Sequence, residues 1–208
     1  MELNIKDNYY THIKHVNLFV DYTNQRLKIA DSPFISVDLL TSIVAFAKKE
    51  GLGKVISNCR INLLKPFNDC GFRIEGKISG FFNGEDAYCV SFFIDPKREV
   101  SVHQDEEDSI LHNCLIDNKN SSLQREHKYL IRTAAEDDIP QMIQLFATVF
   151  TSYPSPVFSK NYLQKVINNK VLFKVAEEDG KIISVASADM DINNINAEIT
   201  DCATYPEH

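Results

Sequence analysis

The sequence has 208 residues, a formal net charge of −7 and a hydrophobic content of 44%. This composition is that of a globular protein of one or two domains, and the acidic charge argues against a nucleic-acid partner. No apolar run approaches the ~20 residues that a membrane-spanning helix needs, and the polar, acidic start is unlike a secretory signal. We therefore expect a cytoplasmic protein with no membrane partner. The five cysteines form no CxxC pair, which predicts buried thiols and no metal site.

The first region, residues 1–98, alternates predicted strands and helices. Ser36 can cap an amphipathic helix that runs to about Glu50, and Asn83-Gly84 supplies a tight turn between two strands. The predicted order is ββαβαββ, with strands at 15–21, 26–30, 54–58, 72–79 and 87–95 and helices at 36–50 and 61–70. This order predicts an α/β unit with a mixed sheet.

A polar stretch, residues 99–127, follows this unit. It contains the acidic run 105–108 and is predicted to be a solvated linker with a short helix around 109–115.

The second region, residues 128–208, begins with a predicted strand and an acidic helix start. Asp137 and Asp138 place negative charge where the helix dipole favours it, and Pro140 fits the first turn. The predicted order is β-α-α-β-β-β, with strands at 128–133, 171–177, 181–189 and 196–204 and helices at 137–150 and 161–169.

Five segments in sequence order carry a family resemblance. They are 19–28 (FVDYTNQRLK), 80–88 (GFFNGEDAY), 150–156 (FTSYPSP), 186–189 (ASAD) and 196–208 (NAEITDCATYPEH). Together they resemble the β-lysine N-acetyltransferases of the GNAT superfamily, over nearly the whole chain. The resemblance implies a mixed α/β GNAT-like fold and transfer of acetyl from acetyl-CoA, with no metal, to the side-chain amine of β-lysine, a step in osmolyte synthesis.

The family pattern also implies an incomplete catalytic domain in this chain. GNAT enzymes carry Arg/Gln-x-x-Gly-x-Gly/Ala directly after their fourth strand, and the sequence ends at His208, where that loop would begin. Residues 68–76 of the first region resemble the closing helix-to-strand turn of a GNAT domain. We therefore expect a smaller, degenerate GNAT-like half ahead of the front part of a GNAT domain.

Glu198 and Asp201, on the last predicted strand, are the candidate proton acceptors. Acetylation needs a neutral amine, whereas a lysine-type amine has a pKa of about 10.4, so a carboxylate must take its proton. Strict alternation along a strand puts the two carboxylates on opposite faces. Both could face one site only if a β-bulge lies between them, and either could instead be a surface carboxylate.

Tyr153, Glu85 and Asp86 are the candidate substrate-binding residues. Tyr153 lies at the break between the two helices, where the fold admits substrate, or is simply a rim aromatic. Glu85 and Asp86 follow a turn and could equally be solvated charges. For the cofactor, the resemblance implies contacts with the backbone of Ala203 and Thr204.

Two other functions stay open on the sequence alone. One is acetylation of a different small amine, and the other is a non-catalytic binding or regulatory module. The sequence does not predict an oligomeric state.

Overall fold

The computed structural model describes residues 6–30, 32–117, 129–167, 169 and 171–208. The chain divides into two compact units, Met1–Leu123 and Gln124–His208. Each unit has its own sheet and its own buried apolar cluster.

The first unit is built on a six-stranded mixed sheet. Its strands are β1 (Tyr9–Ile13), β2 (Val16–Asp21), β3 (Arg26–Ile29), β4 (Lys54–Cys59), β5 (Arg73–Phe82) and β6 (Glu85–Phe93). Their order in the sheet is β1-β2-β3-β4-β6-β5, and only the β3–β4 pair is parallel among these strands. The predicted mixed sheet is confirmed. The sequence missed β1, because this edge strand is mostly exposed and lacks a buried apolar alternation.

Helix α1 (Val37–Lys49) provides much of the first core. The Ser36 Oγ accepts a hydrogen bond from the Leu39 N–H, so the predicted cap is confirmed. The apolar positions of the helix are buried because they recur at helical spacing on one face. They pack in one cluster with β2, β3, β4 and the short helix α2 (Leu64–Asp69).

Helix α3 (Gln104–Asp117) occupies much of the predicted linker. It is longer than the predicted helix at 109–115, and its side chains are exposed as far as Ile116. The rest of the predicted linker, from residue 118, lies outside the described residues. The proposed limits 1–98, 99–127 and 128–208 stay a prediction.

The second unit is built on a four-stranded antiparallel sheet. Its elements are β7 (Leu130–Thr133), α4 (Ile139–Val149), α5 (Lys160–Val166), β8 (Val171–Glu178), β9 (Lys181–Asp191) and β10 (Asn196–Thr204). The predicted β-α-α-β-β-β order is confirmed, and the strand order is β10-β9-β8-β7. The apolar face of α4 packs in one core with the buried residues of β8 and β9.

No helix in the described part of the chain is both long enough and apolar enough to cross a membrane. In the same residues, no group of three His, Cys, Asp or Glu side chains is placed to hold a metal ion.

Candidate active site

A β-bulge interrupts β10, the edge strand of the second sheet as described. Pairing with β9 runs from Asn196 to Thr200, which lies opposite Ser187, and resumes at Ala203, which lies opposite Val185. Two residues of β10, 201 and 202, thus oppose a single residue of β9. Asp201 has φ +48°, in the left-handed region that few non-glycine residues adopt.

The bulge brings the two predicted carboxylates to the same face of the sheet. Glu198 is paired with Asp189 and Thr200 with Ser187, and directly paired residues project on the same side. The Asp201 carboxylate meets the Ser187 Oγ at 2.9 Å, so Asp201 also lies on this side. The bulge that the sequence analysis required between Glu198 and Asp201 is therefore present.

The environments of the two carboxylates differ sharply. Asp201 is 3% exposed, and its Oδ1 has no hydrogen-bond partner among the described residues. Burial raises the pKa of Asp201, the nearby Asp189 charge adds to the rise, and hydrogen bonds from Ser187 and Tyr153 oppose it. Glu198 is exposed. Of the two, Glu198 is the carboxylate that a substrate could reach.

Tyr153 and Ser187 contact the backbone of the bulge. The Asp201 N–H donates to the Tyr153 Oη at 3.1 Å, and the Ser187 Oγ donates to the Thr200 carbonyl at 3.1 Å. Tyr153 is half-buried, and its ring lies 4.5 Å from the ring of Phe150. The structure thus brings Tyr153, a predicted substrate-binding residue, into contact with Asp201, a predicted proton acceptor.

The end of β10 presents a backbone edge. The Tyr205 N–H donates to the Ile183 carbonyl at 3.0 Å, so the backbone groups of Tyr205 point toward β9. Because these groups alternate along a strand, those of Ala203 also point toward β9 and those of Thr204 point to the open edge. Of the two predicted cofactor contacts, the geometry favours Thr204.

Comparisons with known proteins indicate the family of the chain. No family model matches the chain. The sequence is 31% identical to a β-lysine N(6)-acetyltransferase of Methanosarcina mazei, over 81% of this chain and 70% of that protein. The chain belongs to the GNAT-type N-acetyltransferases.

Further relatives support this assignment. A β-lysine N(6)-acetyltransferase of Methanococcus maripaludis is 28% identical over 82% of the chain, and the N-acetyltransferase YodP of Bacillus subtilis is 27% identical over 90%. The chain spans 70%, 62% and 68% of the lengths of these three relatives. The C-terminal domain (DUF2156) assigned to a lysylphosphatidylglycerol synthetase of Agrobacterium fabrum shares the fold, with a TM-score of 0.52 and 12% identity over 97% of this chain and 62% of that one.

Glu85 and Asp86 belong to the first unit of this acetyltransferase, whereas Tyr153, Glu198 and Asp201 belong to the second. Glu85 pairs with Arg60 at 2.9 Å. Asp86 pairs with Lys77 at 2.7 Å and accepts from the Gly80 N–H at 3.0 Å, and the lysine lowers the pKa of Asp86. These contacts match the interpretation as turn charges, and the substrate-binding role stays a prediction.

Arg132 forms ion pairs with two carboxylates of the second unit. Its guanidinium donates to both Asp138 oxygens, at 2.6 and 2.8 Å, and to Glu177 at 2.8 Å. The Asp138 Oδ2 also accepts from the Ala135 N–H at 2.7 Å, and Arg132 lowers the pKa of Asp138. This network joins β7 to the start of α4, which favours a structural role for Arg132 over substrate binding.

Sequence reasoning missed Ser187 and Asp189. Their segment was noted only for its family resemblance, and nothing in its composition indicates a polar contact. The signal that could have found them is the register of the β9–β10 hairpin, which sets Ser187 opposite Thr200 and Asp189 opposite Glu198.

Proposed function

We propose that this protein transfers the acetyl group of acetyl-CoA to the side-chain amine of β-lysine, as a step in osmolyte synthesis. The relatives that carry this name support the substrate. The observation that supports the chemistry is the bulge in β10, which puts the exposed Glu198 on the face shared with Tyr153 and Asp201.

Glu198 is the proposed general base. At neutral pH the amine of a lysine-type substrate is protonated and has no lone pair for attack. The Glu198 carboxylate accepts this proton, directly or through a water, and the neutral nitrogen attacks the thioester carbonyl. The C–S bond then breaks, and the departing CoA thiolate takes up the proton that the nitrogen loses on becoming an amide. Asp189, opposite Glu198, adds negative charge that favours a cationic substrate over a neutral one.

Acetyl-CoA is proposed to lie along the open edge of β10. Thr204 supports this placement, because its backbone N–H and C=O point away from β9 and can pair with amide groups of a ligand. An extended ligand would add to this edge as a strand does.

The test combines binding with turnover. Calorimetry measures acetyl-CoA binding by this chain and by a version extended through the downstream reading frame. CoA release is then followed with β-lysine and, for comparison, with α-lysine, in whichever form binds. We expect acetyl-CoA-dependent turnover with a preference for β-lysine.

Glu198→Gln tests the base directly. The amide cannot take the proton, so we expect kcat to fall about 100-fold while the KM for acetyl-CoA stays within twofold. Glu106→Gln, on the exposed face of α3, is the matched control and should keep wild-type turnover. Full activity of Glu198→Gln would remove Glu198 from this role. Absence of acetyl-CoA binding by both forms would favour a non-catalytic binding module, and preference for another amine would change the substrate.

A further inference from the structure

One peptide group of β10 lies where the regular pairing with β9 stops. The Thr200 C=O and the Asp201 N–H belong to the same peptide bond, between the last pair before the bulge and the first pair after it. A buried backbone group without a partner costs about 1–3 kcal/mol, so hydrogen bonds to both ends of this peptide stabilise the bulge.

Two side chains from different elements supply these hydrogen bonds. Ser187, on β9, donates its Oγ–H toward the Thr200 carbonyl at 3.1 Å, and the Tyr153 Oη, after α4, accepts from the Asp201 N–H at 3.1 Å. The Ser187 Oγ also lies 2.9 Å from the Asp201 Oδ2. Ser187 therefore touches both residues of the peptide, and it is buried, with 2% of its surface exposed.

The bulge decides on which side of the sheet Glu198 stands. Ala203 and Tyr205 are buried in the core, at 4% and 8% exposure, and they fix the end of β10. Without the extra residue, strict alternation from Ala203 would turn Glu198 to the opposite face. The position of the base thus depends on the stability of the bulged peptide.

We propose that Ser187 is a positioning residue. By holding the Thr200–Asp201 peptide in the bulge, it keeps Glu198 on the active face, which is the face of the second sheet that also carries Ser187 and Asp201. This inference rests on the proposed function for its catalytic consequence. Ser187 is the better probe than Tyr153, because the tyrosine ring also packs on Phe150 and its removal would disturb the core. Ser187→Ala removes one oxygen and leaves the rest of the side chain in place.

A double-mutant cycle tests whether the effect of Ser187 on kcat depends on Glu198. Ser187→Ala should lower kcat at least 10-fold in the wild-type background, with the KM for acetyl-CoA within twofold. In the Glu198→Gln background the same change should alter kcat less than twofold, because the base is already absent. Ser187→Thr keeps the hydroxyl and should retain kcat within about threefold. Ser159→Ala, which removes the cap of α5, is the control for lost stability alone and should leave kcat per folded molecule unchanged.

A second measurement detects the backbone conformation of the bulge and does not depend on catalytic activity. The backbone carbon shifts and the amide coupling of Asp201 report its left-handed conformation in NMR spectra. We expect Ser187→Ala to lose this signature and Ser187→Thr to keep it. An unchanged signature in Ser187→Ala, or equal losses of kcat in both backgrounds of the cycle, would overturn the inference. Wild-type protein that binds acetyl-CoA but acetylates no amine would instead overturn the proposed function, and the NMR result would still decide whether Ser187 holds the bulge.

Discussion

Asp201 combines two features that oppose folding. Its carboxyl group is enclosed, with one oxygen unpartnered among the described residues, and its backbone is left-handed at φ +48°. An enclosed carboxylate is disfavoured relative to its protonated form, which is why burial raises the pKa of Asp201. Because the folded-state pKa is raised, protonated Asp201 contributes stability to the fold. This contribution is fully present below the unfolded-state pKa of about 3.9 and is lost as the pH rises through the folded-state pKa.

Asp201→Asn should therefore stabilise the protein at neutral pH. Asparagine tolerates the left-handed backbone and carries no charge, so we expect the melting temperature at pH 7–8 to rise by about 2–4 °C, equivalent to about 1 kcal/mol. The gain should shrink on acidification and be nearly gone at about pH 3.5, where the aspartate is largely protonated in both states. Thermal melts from pH 3.5 to 8 measure this profile.

The control for Asp201→Asn is Asp179→Asn. Asp179 also has a left-handed backbone, φ +50°, but lies exposed in the turn between β8 and β9. Its replacement should leave the pH profile of the melting temperature unchanged. A gain for Asp201→Asn that persists at pH 3.5 would show that the charge of Asp201 is not its cause.

At the scale of elements, the two units use the same hairpin turn. In the first unit the Asn24 N–H and Nδ2 donate to the two Asp21 oxygens, at 3.0 and 2.8 Å. In the second unit Asn194 makes the same pair of hydrogen bonds to Asp191, at 3.2 and 2.8 Å. The residue after each asparagine has φ +53°. An Asp-x-x-Asn spacing thus fixes the connection of β2 to β3 and of β9 to β10.

Ile195 is the weak position of the second turn. A β-branched residue is strained at φ +53°, by about 1 kcal/mol, and Ile195 is 72% exposed, so little packing offsets the strain. We expect Ile195→Asn to raise the melting temperature by about 2–4 °C. Ile192→Asn is the control, because Ile192 is 79% exposed in the same turn and has no left-handed backbone. Equal gains in both variants would mean that lost surface hydrophobicity, and not backbone strain, is responsible.

At the scale of the whole molecule, periodicity and turn chemistry predicted most of the elements. Helix α4 and the β8–β9 hairpin follow from apolar spacing and from Glu178-Asp179-Gly180. The active face could not be predicted in the same way. Whether a bulge forms between Glu198 and Asp201 depends on partners distant in sequence, Ser187 and Tyr153, and local propensity does not encode these contacts.

The two separate cores lead to a prediction about whether the two units unfold cooperatively. Leu40, in α1, and Leu145, in α4, are both fully buried, each in the apolar cluster of its own unit. Truncation of a buried leucine to alanine costs about 2–5 kcal/mol, because packing is lost and a cavity remains. The lost free energy of unfolding should be confined to the unit that contains the leucine, since the other cluster keeps all of its contacts.

Hydrogen exchange on the intact chain measures where the loss falls. Leu40→Ala should speed exchange at least 30-fold in β4 and β6 while the amides of β8 and β9 keep their protection. Leu145→Ala should give the reverse pattern, which makes the two variants controls for each other. If either change lowers protection equally in both sheets, the units open together. The first unit would then contribute directly to the stability of the sheet that carries Glu198, whatever its own part in substrate binding.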